Sequence, residues 1–296
     1  MIQQVWNILP DGLKRWLRQS EYMNRRKAAR LAGSSKRLDI CASQMASCFH
    51  LARHPSIEGK ICLEVGAGWV LTHSLICYLL GAKRVIATDL TACAKPEMLS
   101  IAINQAIESI SRDILTPFTD YSAIRCRLDR LKRIDSFDFD ALSELGISYI
   151  SPLDLAKDSL PYKVDFIYSN SVLEHVPVQD AEKLLWNLND CLNPAGSMIH
   201  CIHLEDHKNS RSAPFDFLDI PRSEYTEIHQ GERGNRIRVG QWTKIFESLE
   251  NSSTSTIYSH SRSDVALPRT IDSSICYKLE DELRVSHVGF YTRKSG

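Results

Sequence analysis

Apolar residues fall along this chain in two rhythms, one of strands and one of helices. In Lys60–Leu90 (KICLEVGAGWVLTHSLICYLLGAKRVIATDL) the strand rhythm comes first. Ile61, Leu63 and Val65 form one apolar set with Cys62 among them, so both faces are largely apolar, as in a strand buried between two helix layers. Gly66 and Gly68 then free the backbone for a sharp turn. A helix is predicted from about Thr72 to a left-handed cap at Gly81. Arg84–Asp89 gives a second buried strand, which finishes on a carboxylate. Ile147–Ser151 reads as a third strand and Val164–Asn170 (VDFIYSN) as a fourth. Val178, Ala181, Leu184, Leu185, Leu188, Cys191 and Leu192 follow at helical spacing, with charged residues opposite. Ser197–Leu204 is a further strand, Gln241–Leu249 a helix, and Thr254–Ser261 and Arg284–Lys294 an alternating pair of strands.

Two segments stand outside this strand–helix succession. Residues 1–58 read as mostly helical, with Val5, Ile8, Leu9, Leu13, Trp16 and Leu17 as an amphipathic stripe interrupted near Pro10–Gly12. Residues 95–146 are too long for an ordinary α/β connection. Leu99, Ile103, Ala106, Ile107, Ile110 and Ile114 repeat helically there, so a helical insertion is expected, and it could help cover a substrate. The main domain is then 59–296, with a polar segment at about 208–240 carrying Phe215, Phe217, Tyr225 and His229.

A strand, glycine turn, helix and strand ending on an acid form a nucleoside-binding unit, the terminal Asp89 reaching the two ribose hydroxyls. The details argue against a dinucleotide. The third glycine of G-x-G-x-x-G is replaced by Leu71, and the bulky Trp69 follows Gly68. Glu64, two residues before the first glycine, would repel a pyrophosphate and suits a ligand carrying positive charge.

E-V-G-A-G closely resembles the first motif of class I S-adenosylmethionine-dependent methyltransferases. Downstream, S-V-L-E-H-V-P after the fourth strand, the helix, and L-N-P-A-G before the fifth resemble the small-molecule methyltransferases called type 11. The likeness runs from residue 60 to about 204. It implies an α/β, Rossmann-like sheet of seven strands in the order 3-2-1-4-5-7-6, with the N-terminal segment as a helical cap over the nucleotide pocket. It implies S-adenosyl-L-methionine as cofactor, held by Glu64, Gly66, Gly68, Trp69, Asp89, Leu90, Asp154 and Asn170. Asp154 would meet the adenine amino group; a solvated loop acid or a helix cap is the plainer account of it. N-P-P-Y and D-P-P-Y are missing, which argues against methylation of a nucleic-acid base.

The acid–base candidates are His175 after the fourth strand and His203 and His207 at the end of the fifth. Ligands gather at the carboxyl ends of strands in such a sheet, and an unperturbed histidine titrates near pH 6.5, which suits accepting a proton from a hydroxyl. His207 is the first choice as base, oriented by Asp206, although any single histidine is more often structural. Some quinone-directed O-methyltransferases hold a cation through E-V-x-E-H-V. Here Ser171 replaces the first acid, which removes a ligand, so no metal is expected. Arg236 and Arg238 could bind a carboxylate or phosphate of the acceptor, or lie on the surface.

Composition narrows the setting. The 296-residue chain has zero formal net charge, but its first 37 residues carry nine Lys/Arg against Asp11 and Glu21, so that end is +7 and the remainder −7. A basic amphipathic helix could touch an anionic membrane surface, as an alternative to the cap. The nine cysteines form no C-x-x-C pair. Cys62, Cys77 and Cys201 lie within apolar patterns, as reduced core thiols would. With no apolar signal core and no 18-residue apolar run, the expected location is the cytoplasm. The chain thus reads as a methyltransferase for a small-molecule acceptor, with oxygen favoured. The alternatives are a membrane-associated lipid or quinone as acceptor, a nicotinamide-dependent oxidoreductase, or a non-catalytic nucleoside-binding module. Neither the acceptor nor the oligomeric state is legible.

Overall fold

A computed structural model of the chain describes residues 37–53, 56–109, 112–134 and 138–296. The predicted strands form one seven-stranded sheet: β1 (Ile61–Val65), β2 (Arg84–Thr88), β3 (Ile147–Ile150), β4 (Val164–Asn170), β5 (Leu192–His203), β6 (Ser252–Ser261) and β7 (Val285–Lys294). Their spatial order is β3-β2-β1-β4-β5-β7-β6, as the motif resemblance implied. β1 pairs in parallel with β2 and β4, and β7 runs antiparallel to both β5 and β6.

Period-two alternation divides the buried strand residues between two cores. Cys62, Val85, Phe166 and Ile199 face one side, while their neighbours Leu63, Ile86, Ile167 and Met198 face the other. The first side is covered by α1 (Arg37–Leu51), α2 (Thr72–Leu79), α3 (Pro96–Ser109), α4 (Arg112–Leu115) and α5 (Tyr121–Lys132). Leu38, Cys41, Ala42, Met45, Cys48 and Phe49 make the buried stripe of α1 at helical spacing. Phe49 sets its edge against Phe166 of the sheet at 5.4 Å between centroids, a favoured aromatic arrangement. The second side is covered by α7 (Val178–Cys191) and α8 (Val239–Glu247), after α6 (Phe139–Glu144) has led into β3.

The end of α2 is as expected, and later boundaries differ. α2 stops at Leu79, and Gly81 at φ +93° closes it, with Gly81 N–H donating to the Tyr78 carbonyl and Ala82 N–H to that of Cys77. β5 is bounded at Leu192, but its pairing with β4 jumps from Leu192 to Ser197 and Ala195 lies at φ +61°, so N-P-A-G bulges out as the turn before the paired run. Of the apolar stripe of the insertion, Leu99 and Ile103 lie in α3 and Ile114 in α4, while Ile110 lies outside the described residues. The insertion packs as part of the helix layer: Ile124 and Leu131 are buried in the first core, and Arg127 donates to the Leu79 carbonyl at 2.9 Å. The aromatic residues of the 208–240 segment turn inward, where Phe215, Phe217 and Tyr225 form a third core with Ile275 and Leu283. The amphipathic stripe of residues 5–17 and its basic surroundings lie outside the described residues. Among the described residues no helix is long and apolar enough to cross a membrane.

Candidate functional site

The carboxyl ends of β1, β2, β4 and β5 carry the residues singled out from the sequence, in two groups. At the ends of β1 and β2, Gly66 and Gly68 have φ of +75° and +63°, a region that favours glycine. Gly66 N–H and Ala67 N–H both donate to the Thr88 carbonyl at 2.9 Å, which ties the turn to β2. Gly68 N–H donates to Asp89 Oδ2 at 2.8 Å, and Thr91 N–H to Asp89 Oδ1 at 3.0 Å. A carboxylate has about four acceptor sites, so Asp89 is held in place with capacity left for hydroxyl groups. Added side-chain atoms at Gly68 would meet open space, whereas at Gly66 they would run into Val172. Gly66 is therefore required by the turn that follows β4, besides any ligand. Leu90 beside Asp89 is exposed, and Trp69 is half-buried against the first core.

Glu64 departs from its expected role. It is buried, Oε1 lies 3.0 Å from His73 Nδ1, and Oε2 accepts from Ser74 N–H at 2.9 Å and from the Ser74 hydroxyl. Burial disfavours a charged His73, but hydrogen bonds to Cys41 and Glu64 outweigh it and lift its pKa to about 10. The positive charge that Glu64 calls for is supplied by the protein, and the carboxylate fixes the start of α2. Asp154 is engaged in its own turn: Oδ1 accepts from Ala156 N–H at 3.1 Å and Oδ2 from Lys157 at 2.7 Å. This is the capping arrangement that the sequence also allowed. Its loop is tied to the end of β2, because Ser151 Oγ and Leu153 N–H both donate to the Asp89 carbonyl. Asn170 donates from its side chain to Gln44 of α1 at 3.3 Å, joining the end of β4 to that helix.

The second group lies between the ends of β4 and β5. His175 and His207 have ring centroids 4.4 Å apart, His207 and His203 4.5 Å, and His203 stacks on His287 at 4.3 Å. The three histidines read from sequence therefore converge, and His287, which faces His203 across the β5–β7 pairing, joins them. His203 Nε2 lies 2.9 Å from Glu205 Oε2, while Glu205 Oε1 accepts from Arg262 at 3.0 Å. Glu174 is 1% exposed and neither of its carboxylate oxygens has a hydrogen-bond partner; His207 Nε2 stands 3.4 Å from Oε1. Burial lowers the pKa of His175, with Glu174 opposing and His207 reinforcing the shift. Burial and then His203 bring His287 down to about 4, so it is neutral near pH 7.

Three expectations are corrected here. Asp206 does not orient His207: its fully buried carboxylate takes Arg233 Nε at 3.1 Å and Nη2 at 2.6 Å, along with Lys208 N–H. Glu174 is the carboxylate that His207 faces. Arg236 is buried, donates to the Phe217 and Ile220 carbonyls, and lies 3.9 Å over the Tyr225 ring. Arg238 is fully buried and gives hydrogen bonds to the carbonyls of Leu204, Leu283 and Val285. Neither arginine is placed to receive an acceptor's anion, because each is consumed in holding loops together. Burial brings Arg238 down to about 9.

Asn235 was not singled out from the sequence. Its side chain donates to the carbonyls of Leu173 and Val176 at 2.8 and 2.9 Å, and its N–H to that of Glu174 at 2.6 Å. These bonds fix the turn that presents Glu174 and His175. A lone asparagine in a polar stretch carries no signal for such a role.

No protein-family model and no curated protein matches the chain. Among solved structures, it is similar to an S-adenosylmethionine dependent methyltransferase from Mesorhizobium loti, at 18% identity and TM-score 0.48 over 87% of this chain and 100% of that one. The N-methyltransferase NodS from Bradyrhizobium japonicum WM9, in complex with S-adenosyl-l-homocysteine, gives 13% and 0.39 over 84% and 86%. A DhpI-SAH complex gives 15% and 0.45 over 93% and 94%. Overlaps this loose carry no argument about the chemistry of this chain, and the strand order stands on the chain's own hydrogen bonding.

Proposed function

We propose that this chain is a class I methyltransferase that carries a methyl group from S-adenosylmethionine to a small-molecule acceptor, with an oxygen as the receiving atom. The observation that supports it most is the juxtaposition of two unlike sites across one turn. A glycine loop with a pinned acid suits a nucleoside at β1 and β2. A histidine and glutamate cluster beside it, at β4 and β5, suits a hydroxyl. In the transfer, an acceptor lone pair forms the new C–O bond while the C–S bond breaks and its electron pair returns to sulfur. The sulfonium becomes the neutral thioether of S-adenosylhomocysteine, and the hydroxyl proton passes to an imidazole of the cluster. The sulfonium is already activated, so alignment and proton removal are what the protein supplies. Asp89 serves the ribose, and His207 is the first candidate for the proton.

Calorimetric titration with S-adenosylhomocysteine and, separately, with NAD tests the donor. Binding of the first and not the second is expected; preference for NAD would replace this reading with an oxidoreductase. Transfer of labelled methyl groups to a panel of hydroxylated small molecules tests the acceptor class. Saturable donor binding with no transfer to any acceptor, nitrogenous ones included, would leave a binding module.

A further inference from the structure

We infer that Glu174, His175 and His207 form a binding site for a divalent transition-metal ion. No metal was expected here, because Ser171 stands where a second acid would be needed in the same loop. The fold supplies the missing ligand from elsewhere: His207 comes from beyond β5, 32 residues after His175, and meets the β4 turn. One ligand atom from each of the three residues lies within 4.8 Å of the other two.

The carboxylate of Glu174 is the central observation. A buried carboxylate with no hydrogen bond costs several kcal/mol unless a cation answers it. The lysines and arginines nearby are engaged with other groups: Arg233 with Asp206, Arg262 with Glu205 and Asp264, and Arg238 with three carbonyls. Asn235 bonds the backbone of this turn and leaves the carboxylate alone. Both Glu174 oxygens, His175 Nδ1 and His207 Nε2 are buried without hydrogen-bond partners, so each residue of the triad carries an unsatisfied ligand-competent atom. The 3.4 Å between His207 Nε2 and Glu174 Oε1 is long for a hydrogen bond. It is close to the edge of a tetrahedron built on metal–ligand bonds of about 2.0–2.2 Å.

The neighbouring triad of His203, Glu205 and His287 meets the same distance test but not the same chemical one. There Glu205 already holds His203 on one oxygen and Arg262 on the other, so its charge is answered. The ion belongs to the first triad. Two imidazoles and one carboxylate favour zinc or another late first-row ion over magnesium or calcium, which prefer all-oxygen sets. Three protein ligands leave a position open. An acceptor hydroxyl placed there would lose its proton more readily, since a bound divalent ion lowers the pKa of the oxygen it holds. His207 is then a ligand, and the hydroxyl proton passes to His203, the neighbouring imidazole outside the triad. That role rests on the methyl-transfer reading, whereas the site itself does not.

The test uses the full chain, stripped with a chelator and titrated with zinc(II) by calorimetry and with cobalt(II) by visible absorption. One equivalent of each should bind, with cobalt giving the ligand-field bands of a low-coordinate nitrogen and oxygen site. His207→Ala and Glu174→Gln should each weaken binding at least a hundredfold. Unfolding of the stripped protein adds a second readout. If Glu174 is simply ion-paired to a protonated His207, Glu174→Gln will destabilise the stripped protein; if it is an unanswered ligand, the same change will leave it as stable or more so. Absence of stoichiometric binding, binding indifferent to both substitutions, or marked destabilisation of stripped Glu174→Gln would overturn the site. Donor binding is measured on the same samples. Metal binding without S-adenosylhomocysteine binding would overturn the methyltransferase reading alone, and the reverse result the metal site alone.

Discussion

At the scale of single residues, the charged groups divide by whether their valence is already spent. Asp206, Arg236, Arg238 and Glu64 look functional in sequence because they are charged, yet each is held by the protein's own backbone or partners. Asp89 differs. Backbone N–H groups aim its carboxylate without exhausting it. Charge-assisted hydrogen bonds from ribose hydroxyls are worth about 1.5–3 kcal/mol each. Asp89→Ala should therefore weaken S-adenosylhomocysteine binding roughly ten- to a hundredfold, at about 1.4 kcal/mol per decade. Calorimetric titration of a variant shown to be folded by circular dichroism checks this; unchanged affinity would remove Asp89 from the donor site.

At the scale of elements, the turn after β4 is the part on which the acceptor side depends, and one side chain holds it. Asn235→Ala removes the hydrogen bonds to the carbonyls of Leu173 and Val176 and the one that its Oδ1 accepts from Ile237 N–H, while the Leu173 carbonyl keeps the Val176 N–H, at a cost of about 1–3 kcal/mol. Denaturant unfolding should show that loss. Turnover should fall by more than donor affinity, because Glu174 and His175 move while the β1 turn does not. Equal falls in both would count against a specific role for the turn. The strands, the two glycines and the histidine convergence were legible because period-two patterns, turn chemistry and strand ends are local or follow from topology. Glu174 was visible as part of V-L-E-H-V, but its isolation was not. That isolation depends on Arg233, Arg238 and Arg262 each being drawn to other acceptors, a competition settled only in three dimensions. Likewise Phe215, Phe217 and Tyr225 sit among polar neighbours in the sequence, so their joint burial could not be read from periodicity.

At the scale of the whole molecule, buried histidines set limits on stability at both ends of the pH range. His200 is fully buried beside Ser169, and burial lowers its pKa to about 3, while His287 is brought to about 4. Both bind fewer protons in the folded than in the unfolded chain, where histidine titrates near 6.5. Their contribution is complete above that value and is lost as pH falls through the folded pKa values. His73 has the opposite sign, since its pKa is lifted to about 10. Its contribution is complete below about 6.5 and is lost as pH rises toward 10. Unfolding free energy from urea titrations should thus fall away on both sides, by at most about 1.4 kcal/mol per pH unit for each group. His73→Gln should flatten the alkaline limb and leave the acid limb in place; an unaltered alkaline slope would show that His73 is not charged in the native state. The contact of Gly66 with Val172 has a different reach, since it makes the nucleoside turn and the Glu174 turn share one wall. Two sites divided by a single side chain are thermodynamically linked. The factor by which S-adenosylhomocysteine alters zinc affinity must equal the factor by which zinc alters S-adenosylhomocysteine affinity, and such factors commonly lie at about 5–150. Calorimetry of each ligand in the presence and absence of the other should return one common factor. Val172→Ala, by leaving slack in the wall, should bring that factor toward unity while each ligand still binds alone.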